Sequence, residues 1–502
     1  MKKIIRRALT VIPIAALQAL WIVLLMKWLA PYTALVSLAL SVAAFLFVLY
    51  IIIKRDESTY KILWLLIILT FPIPGSVLYA LFGNKRMGRP LAKRLRRVEE
   101  SGDPVPLATG GPPFDGGRRI EQTFRWLEKK TGYPLTEVEH ARYYPLGDEM
   151  FPDMLADIRA ARAFIYLEYF IVTPGVFWDT IVEALEEKVR QGVDVRVMYD
   201  DLGSISTFNL ANAMELQKKG IPCVPFNPII AVKGTLNYRD HRKMLIIDGE
   251  IAYTGGVNLA DEYINRIVRF GHWKDTGVRL TGAPARSYLH MFLTFWNAFS
   301  GQSAPMTLLL PDRARAPGPK DGGYVLSYYD SPLNREATTN QLYIDLLSQS
   351  TEYAWFFTPY LMPGDDLTDA LVSAAHRGVD VRIFMPGIPD KKLIFRMSHS
   401  FYQVLLTEGV KIYEYAPGFI HAKGFLSDDI VGAVGTVNLD YRSLFLHFEN
   451  NSLFYRAPLL ADLKADFLAT QEKCVRIQPL EAKKYSLRWI VDGILRIFAP
   501  LC

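Results

Sequence analysis

The chain has 502 residues, a length that allows two or three domains, each with its own core. Half of the residues are hydrophobic and 22% are charged, and the net charge of +6 is too small to select either nucleic acid or a membrane as the partner. Three widely separated cysteines argue against a disulfide framework and match no metal-binding spacing.

Two apolar runs open the chain, at residues 8–30 and 32–53. Each is close to the ~20 residues that a helix needs to cross a bilayer. A third run, at 62–82, is interrupted by two prolines and a glycine, so it is predicted to span with a break or to re-enter. A cleavable signal peptide is the alternative for the first run, but no small-residue cleavage site follows it. We therefore predict a membrane anchor over 1–83, with two crossings and a broken third segment.

Clusters of basic residues predict the orientation of this anchor, because such residues favour the cytoplasmic side. They lie at the N-terminus, at 54–55 and most densely at 85–97. All three clusters are cytoplasmic only if two runs cross and the third re-enters, so the catalytic region is predicted to be cytoplasmic. Residues 84–135 are predicted to be a basic segment and linker, which either binds anionic headgroups or is a solvated face.

The rest of the chain contains two related halves. The sequence Gly-Val-Asp-Val-Arg-Val at 192–197 recurs as Gly-Val-Asp-Val-Arg-Ile at 378–383. Each copy reads as a strand that follows a predicted helix, at 178–190 in the first half and at 366–377 in the second. Helices that alternate with strands in this way indicate an α/β architecture.

These patterns predict two tandem α/β domains, at 136–320 and 321–480, that are related by pseudo-twofold symmetry and preceded by the N-terminal helical region. The last segment, 481–502, is amphipathic over 485–499. It is predicted either to lie on the bilayer surface or to pack on the second domain.

Both halves carry the pattern H-x-K-x-x-x-x-D. Its members are His241, Lys243 and Asp248 in the first half, and His421, Lys423 and Asp428 in the second. In each half an asparagine, Asn258 or Asn438, follows the histidine by 17 residues (258 − 241 and 438 − 421). A duplicated domain with one signature per copy explains this spacing.

The signature has the groups needed for transfer of a phosphoryl group. Residues i and i+2 of a strand share a face, so each histidine projects together with its lysine, and two facing domains can place both pairs around one anion. Histidine titrates near pH ~6.5, so a neutral ring can attack phosphorus while a protonated ring delivers a proton to the leaving group. The lysines, with Asn258 and Asn438, can stabilise the phosphoryl oxygens. This chemistry requires no metal and no other cofactor.

The acidic residues near the signature are predicted to have different roles. Asp248 and Asp428 belong to the signature and are candidates for catalysis, but a turn-forming role is favoured, since Asp248-Gly249 suits a hairpin turn. Asp275 and Glu449, each downstream of its own half's signature, are candidates to hold the histidine rings in the useful tautomer. A structural role is predicted for His140, His290, His376, His399 and His447, while His272 is ambiguous.

The paired signatures resemble the phospholipase D superfamily, and further segments resemble the bacterial cardiolipin synthases. These segments are 237–243, 255–258, 261–263, 272–275, 418–425, 435–443 and 448–450. The resemblance implies two phospholipase D-like domains behind a membrane-anchoring region in the bacterial inner membrane. It implies transfer of a phosphatidyl group from one phosphatidylglycerol to another, which gives cardiolipin and glycerol. An anionic lipid membrane is then the partner, and a homo-oligomer is compatible with the pattern.

By analogy with the superfamily, His241 attacks phosphorus and His421 acts first as acid and then as base, although the symmetry of the motifs allows the reverse. Asp275 would orient His241, and Glu449 would orient His421. Two departures from the family stand out. The first apolar run is additional, and Asp240 stands where many relatives have asparagine, which is predicted to raise the pKa of His241.

Four other functions compete with this interpretation. A phospholipase D hydrolase would use the same residues with water as acceptor, and a transphosphatidylase would use a different alcohol. A nuclease needs no bilayer anchor, and the chain lacks the interleaved basic and aromatic residues typical of strand binding, so no nucleic acid partner is predicted. A non-catalytic scaffold would require a degraded motif, and both motifs are intact.

Overall fold

The computed structural model contains two large β-sheets, with helices before and after them. The described residues are 13, 16–24, 33–54, 58–83, 89–100, 107, 112, 116–228, 237–301, 320–334, 336–479 and 487–501.

The N-terminal region is helical. Its elements are α1 (Thr33–Ile53), α2 (Ser58–Thr70), α3 (Pro72–Leu78) and a π-helical turn at Tyr79–Gly83. The break predicted in the third apolar run lies at Phe71. A new helix begins after this residue, with proline in its first turn, where the missing N–H is tolerated. The first apolar run lies only partly within the described residues. Among those residues, no helix is long and apolar enough to cross a membrane, so the predicted crossings are not supported.

Two helices occupy part of the segment predicted as a basic linker, α4 (Arg89–Glu100) and α5 (Gly117–Thr131). One face of α5 buries Phe124 and Leu127 in the core of the second sheet. This burial explains why the basic sequence around them is ordered as a helix instead of running free.

The first half continues from these helices. Its strands are β1 (Thr136–Glu137), β2 (Ala141–Tyr144), β3 (Phe164–Tyr169), β4 (Asp194–Asp200), β5 (Cys223–Phe226), β6 (Arg239–Asp240), β7 (Met244–Ile247), β8 (Ile251–Gly255), β9 (His272–Lys274) and β10 (Gly277–Thr281). Its helices are α6 (Gly147–Ala160), α7 (Val176–Arg190), α8 (Leu210–Lys218) and α9 (Ala283–Phe299).

The second half repeats this alternation. Its strands are β11 (Tyr324–Asp330), β12 (Tyr353–Phe357), β13 (Leu361–Met362), β14 (Asp380–Pro386), β15 (Lys411–Tyr415), β16 (Gly418–Ile420), β17 (Gly424–Ser427), β18 (Val431–Gly435), β19 (Leu439–Asp440), β20 (His447–Tyr455) and β21 (Cys474–Arg476). Its helices are α10 (Thr338–Gln349), α11 (Asp365–His376), α12 (Lys392–Thr407), α13 (Tyr441–Phe445), α14 (Leu459–Gln471) and α15 (Leu487–Phe498).

The two sheets share one topology. The first has the order β2-β10-β8-β7-β3-β4-β5, and the second has the order β1-β11-β20-β18-β17-β12-β14-β15-β21. In each sheet three parallel strands adjoin an antiparallel hairpin, β7–β8 or β17–β18, that directly follows a histidine-lysine pair. The repeat confirms the predicted α/β fold of two related domains behind an N-terminal helical region.

Helix α9 joins the cores of the two sheets. Its Phe292 ring stacks on Tyr166 of β3, with ring centres 4.8 Å apart. Its Phe295 ring meets Phe448 of β20 edge-on at 5.0 Å. One continuous core therefore fixes the sheets relative to each other, which is what a site built between them requires.

Short strands are exchanged between the halves. β6 of the first half pairs in parallel with β20 of the second, and β16 of the second half pairs in parallel with β9 of the first. Each exchanged strand directly precedes a signature histidine. The two histidine-lysine pairs are therefore both held against the seam between the halves.

The C-terminal helix α15 packs on one side and is exposed on the other. Leu495 lies against the cluster of Met362 and Met397, while the apolar residues Ile490 and Ile494 are half exposed. The predicted packing on the second domain is present, and an apolar stripe remains on the outer face.

Candidate active site

The two histidine-lysine pairs lie in extended links between an exchanged strand and the signature hairpin. Both histidines are 7% exposed, and Lys243 and Lys423 are almost fully buried. The His241 amide donates to the carbonyl of Phe448 at 2.9 Å, and the His421 amide donates to the carbonyl of Lys274 at 2.7 Å. Hydrogen bonds to the opposite half therefore fix the backbone of each histidine.

Each histidine ring is hydrogen-bonded to a carboxylate of the opposite half. His241 Nδ1 lies 2.9 Å from both oxygens of Glu449, and His421 Nδ1 lies 2.6 Å from Oδ2 of Asp275. The prediction that Asp275 orients His241 and Glu449 orients His421 is therefore wrong, and the pairing is exchanged. The cause is the exchange of strands, because β6 docks on the strand that carries Glu449 and β16 docks on the strand that precedes Asp275.

Glu449 is held by three side chains at once. Besides His241, the hydroxyls of Thr436 and Ser443 donate to its carboxylate. Burial raises the pKa of Glu449 to about 8, against the charge of Lys243 and these hydroxyl bonds, which lower it. These bonds leave the carboxylate little freedom, so it fixes the orientation of the His241 ring.

The Asp275 carboxylate is closely packed against backbone atoms. Its Oδ1 accepts from the backbone N–H of Thr276 at 2.9 Å, and Gly256 lies so near that a Cβ there would overlap the carboxylate. A glycine is therefore needed at this position to let the carboxylate reach His421.

Each lysine ammonium group contacts the backbone of the histidine two positions before it. Nζ of Lys243 donates to the His241 carbonyl at 2.5 Å, and Lys423 makes the same contact with His421. Burial lowers the pKa of Lys243 to about 7 and that of Lys423 to about 8. An anion bound between them would favour their charged forms and raise both pKa values.

Burial disfavours the charged form of both imidazoles. Burial, followed by the charge of Lys243, lowers the pKa of His241 well below its usual 6.5. Burial, followed by Lys423, lowers the pKa of His421 to about 4. His421 also acts electrostatically on His241, which reflects that both rings belong to one site. A neutral imidazole is the form that can attack phosphorus.

Asp240 pairs with a buried arginine beside the neighbouring histidine. Its Oδ1 accepts from Nε of Arg242 at 2.8 Å, and Arg242 also pairs with Glu168 in the core. The prediction that Asp240 raises the pKa of His241 is wrong, because burial and the charge of Lys243 lower that pKa, while Asp240 pairs with Arg242.

Asp248 and Asp428 lie at the far ends of their strands. Oδ1 of Asp248 accepts from the amides of Ala163 and Phe164 at 2.7 and 2.9 Å. Asp428 accepts in the same way from three successive amides, at 351–353. Both aspartates have positive φ, at 54° and 53°. Each aspartate lies five positions beyond its lysine, roughly 16 Å along an extended strand, and its contacts are those of the turn-forming interpretation rather than of direct catalysis.

The two asparagines are engaged within the protein. Oδ1 of Asn258 accepts from the Ile171 amide at 3.0 Å, and its Nδ2 donates to the Tyr263 hydroxyl at 2.8 Å. Asn438 bonds Asp440 through its side chain, and its Oδ1 is buried with no partner among the described residues. Their predicted contact with phosphoryl oxygens stays a prediction.

His447, for which the sequence predicts only a structural role, lies inside the site. Its ring centre is 5.7 Å from that of His241. The sequence carries a signal that could have found it, because His447 precedes Glu449 by two residues in one strand and so shares its face.

A metal-binding set can be drawn from the same residues. Ligand atoms of His241, His447 and Glu449 lie within 4.8 Å of one another, and two imidazoles with a carboxylate suit a divalent transition metal. Lys243 beside them opposes a cation, and Glu449 already accepts three hydrogen bonds. The surrounding charges favour an anion at this position.

Two imidazoles, each fixed by a carboxylate and accompanied by an ammonium group, meet on a duplicated α/β scaffold, and this combination defines a phosphatidyltransferase of the phospholipase D type. A family profile described as Cardiolipin synthase, PLD-like domain matches residues 154–268 and 343–470, and one described as Phospholipase D-nuclease N-terminal matches residues 39–84. The chain belongs to the cardiolipin synthase family, and the resemblance seen in the sequence is confirmed.

Individual relatives agree with this assignment. The chain is 31% identical over 487 residues to a cardiolipin synthase of Geobacillus kaustophilus, covering 94% of this chain and 95% of the relative. It is 40% identical over 468 residues to an uncharacterized protein of Streptococcus mutans, covering 90% and 99%. Among solved structures, the phosphatidylserine synthase of Haemophilus influenzae Rd KW20 shares the fold, with a TM-score of 0.54 at 18% identity over 76% of this chain and 98% of that one.

Proposed function

We propose that this enzyme joins two phosphatidylglycerol molecules into cardiolipin and releases glycerol, through a phosphatidyl group carried on His241. The observation that supports the proposal is the exchanged pairing, which holds two carboxylate-bound imidazoles, each with its lysine, at the seam between the halves, where one phosphodiester could contact both. The predicted roles of His241 as nucleophile and His421 as acid and base fit this geometry.

In the first step Nε2 of His241 forms a bond to phosphorus while the bond from phosphorus to the glycerol oxygen breaks. His421, in its protonated form, gives its proton to that oxygen, and glycerol leaves. The negative phosphodiester favours the protonated form of His421, since it raises the pKa that burial has lowered. Glu449 stabilises the positive charge that His241 gains on forming the adduct.

In the second step His421, now neutral, accepts the proton of the terminal hydroxyl of a second phosphatidylglycerol. The oxygen of that hydroxyl forms a bond to phosphorus while the bond to His241 breaks, and cardiolipin leaves. His421 ends the cycle protonated, ready for the next donor. Lys243 and Lys423 are positioned to stabilise the phosphoryl oxygens in both steps.

A phospholipase D hydrolase, or transfer to another alcohol, is the competing function, because both would use the same adduct with a different acceptor. Exclusion of water favours transfer over hydrolysis. We place the enzyme at the bacterial inner membrane, with its catalytic region on the cytoplasmic side and its half-exposed apolar residues towards the lipid. Leu66 and Leu69 of α2 and Ile490 and Ile494 of α15 are such residues. A homo-oligomer stays a prediction.

The test is incubation of the purified full-length protein with vesicles of phosphatidylglycerol in phosphatidylcholine, with lipid products identified by mass. We expect cardiolipin and glycerol in equal amounts. Phosphatidic acid as the main product would instead identify a hydrolase. His241→Ala is expected to abolish the covalent phosphatidyl-enzyme, and His421→Ala to slow its formation and its consumption. An adduct on His421 in the His241→Ala variant would reverse the two roles.

A further inference from the structure

The two catalytic rings have equivalent neighbours contributed by the opposite half. His447 pairs with the residue two positions before His241, and Trp273 pairs with the residue two positions before His421. The ring centres of His447 and His241 are 5.7 Å apart, at 41°, and those of Trp273 and His421 are 5.5 Å apart, at 44°. His447 and Trp273 therefore occupy the same position under the pseudo-twofold symmetry.

Their chemistry differs. Nε1 of Trp273 is fully buried and has no hydrogen-bond partner in the described part of the chain, so this N–H is closed off from a ligand. Nε2 of His447 accepts a hydrogen bond from Nε of Arg442 at 3.2 Å. A neutral imidazole that accepts at Nε2 carries its proton on Nδ1. His447 is thus a polar group where the other half has an apolar one.

The donor at Nδ1 of His447 is available. His447 is only partly buried, and within the described ranges no residue hydrogen-bonds its Nδ1. Burial, followed by the charges of Arg442, Arg239 and Lys243, lowers its pKa well below 6.5, which favours the neutral ring and this tautomer. A fixed, neutral donor is left beside the ring of His241.

We infer that His447 is a phosphate-binding residue, whose Nδ1–H donates to a non-bridging oxygen of the phosphatidyl group while that group is bound to His241. The inference rests on the proposed function and extends its binding site by one residue. The position of His447 selects this oxygen. In an in-line displacement the entering and leaving alcohols lie on the side away from the nucleophile, near His421, whereas His447 lies beside His241.

The inference makes the two halves unequal in function. The His421 side needs to admit and release alcohols, and there the equivalent ring is an indole without a hydrogen-bond partner in the described structure. The His241 side keeps the phosphatidyl group through both steps, and there the ring is a hydrogen-bond donor. The donor contributes most when charge develops on the phosphoryl oxygens, so its loss slows formation of the adduct more than it weakens lipid binding.

The experiment compares His447→Phe, which keeps a ring and removes the donor, with His447→Asn, whose amide nitrogen replaces Nδ1. Trp273→Phe is the matched control on the other side, where only ring size changes. Full-length variants are mixed with phosphatidylglycerol vesicles, quenched at short times and assayed for protein-bound phosphatidyl groups. We expect His447→Phe to form the adduct about 10- to 100-fold more slowly, and His447→Asn to recover most of the rate.

Two results would overturn the inference. One is an unchanged rate in His447→Phe. The other is an equal loss in His447→Phe and His447→Asn, matched by Trp273→Phe, which would show that the ring only packs. If His447→Phe melts at a lower temperature than the unchanged protein, His447→Leu replaces it in the same comparison.

The proposed function can fail separately. If the unchanged protein forms the adduct but releases phosphatidic acid or another ester, cardiolipin synthesis is refuted, and the two His447 variants still decide the role of that residue. If the unchanged protein forms no adduct on His241, both proposals fall.

Discussion

Replacing His241 with alanine and Glu449 with glutamine, singly and together, tests the exchanged pairing directly. The two residues are 208 positions apart in sequence, yet both carboxylate oxygens lie 2.9 Å from Nδ1 of the ring. If this contact holds the halves together, the double variant must lose less stability than the sum of the two single variants.

The size of this coupling follows from burial. The Glu449 side chain is 0% exposed and that of His241 is 9% exposed, so water cannot replace either partner when the other is removed. Removing one partner leaves the other buried and unsatisfied, which costs about 1–3 kcal/mol, and we expect a coupling energy in that range. For His241 and Asp275, which share no hydrogen bond in the described structure, we expect less than about 0.5 kcal/mol.

The assay is the free energy of unfolding of full-length protein in detergent, measured by denaturant titration for each variant. The cycle of His241→Ala with Asp275→Asn is the matched control, since it combines the residues that the sequence places in the same half. A coupling energy for His241 with Asp275 equal to or larger than that with Glu449 would refute the exchanged pairing.

Three further outcomes follow from the site. Because the pKa values of Lys243 and Lys423 are lowered to about 7 and about 8, their charge is lost as pH rises through this window, and kcat/KM should fall above pH 7–8 in a pH profile. Asp248→Ala removes an acceptor from backbone amides and should cost about 1–3 kcal/mol in unfolding free energy, with adduct formation unchanged in the folded protein. Gly256→Ala should displace the Asp275 carboxylate and lower kcat about 10- to 100-fold in the vesicle assay.

Each outcome has its contradiction. A basic limb near pH ~10.4, the value of an ordinary lysine, would show that burial does not set the charge of these groups. A loss of adduct formation in folded Asp248→Ala protein would return this aspartate to the catalytic residues. For the glycine, the matched control is Gly493→Ala in α15, where a Cβ meets no atom within 4 Å. If Gly256→Ala and Gly493→Ala lowered kcat equally, the proposed overlap with the Asp275 carboxylate would be refuted.

The sequence predicts the scaffold well because its signals are local and repeated. The helix predicted at 178–190 is α7, at Val176–Arg190, and the one predicted at 366–377 is α11, at Asp365–His376. The recurrence of the same strand after each helix is enough to indicate two related α/β domains. The turn-forming interpretation of Asp248 and Asp428 also succeeds, because a hairpin turn depends on adjacent residues.

The sequence does not predict which carboxylate serves which ring. Asp275 and Glu449 each follow their own signature along the chain, and nothing in that spacing reveals an exchange. The exchange depends on β6, a strand of two residues whose partner lies more than 200 positions away. The sequence also does not predict that Arg242 is buried and paired with Asp240, because this burial depends on tertiary packing.

The exchanged strands have a consequence for how lipids reach the chemistry. A shift of one half relative to the other by ~3 Å, about one hydrogen-bond length, would break both histidine–carboxylate hydrogen bonds at once. The two halves therefore cannot move apart while both histidine–carboxylate hydrogen bonds are kept. A phospholipid substrate is therefore expected to bring its headgroup to a site between two halves that do not separate.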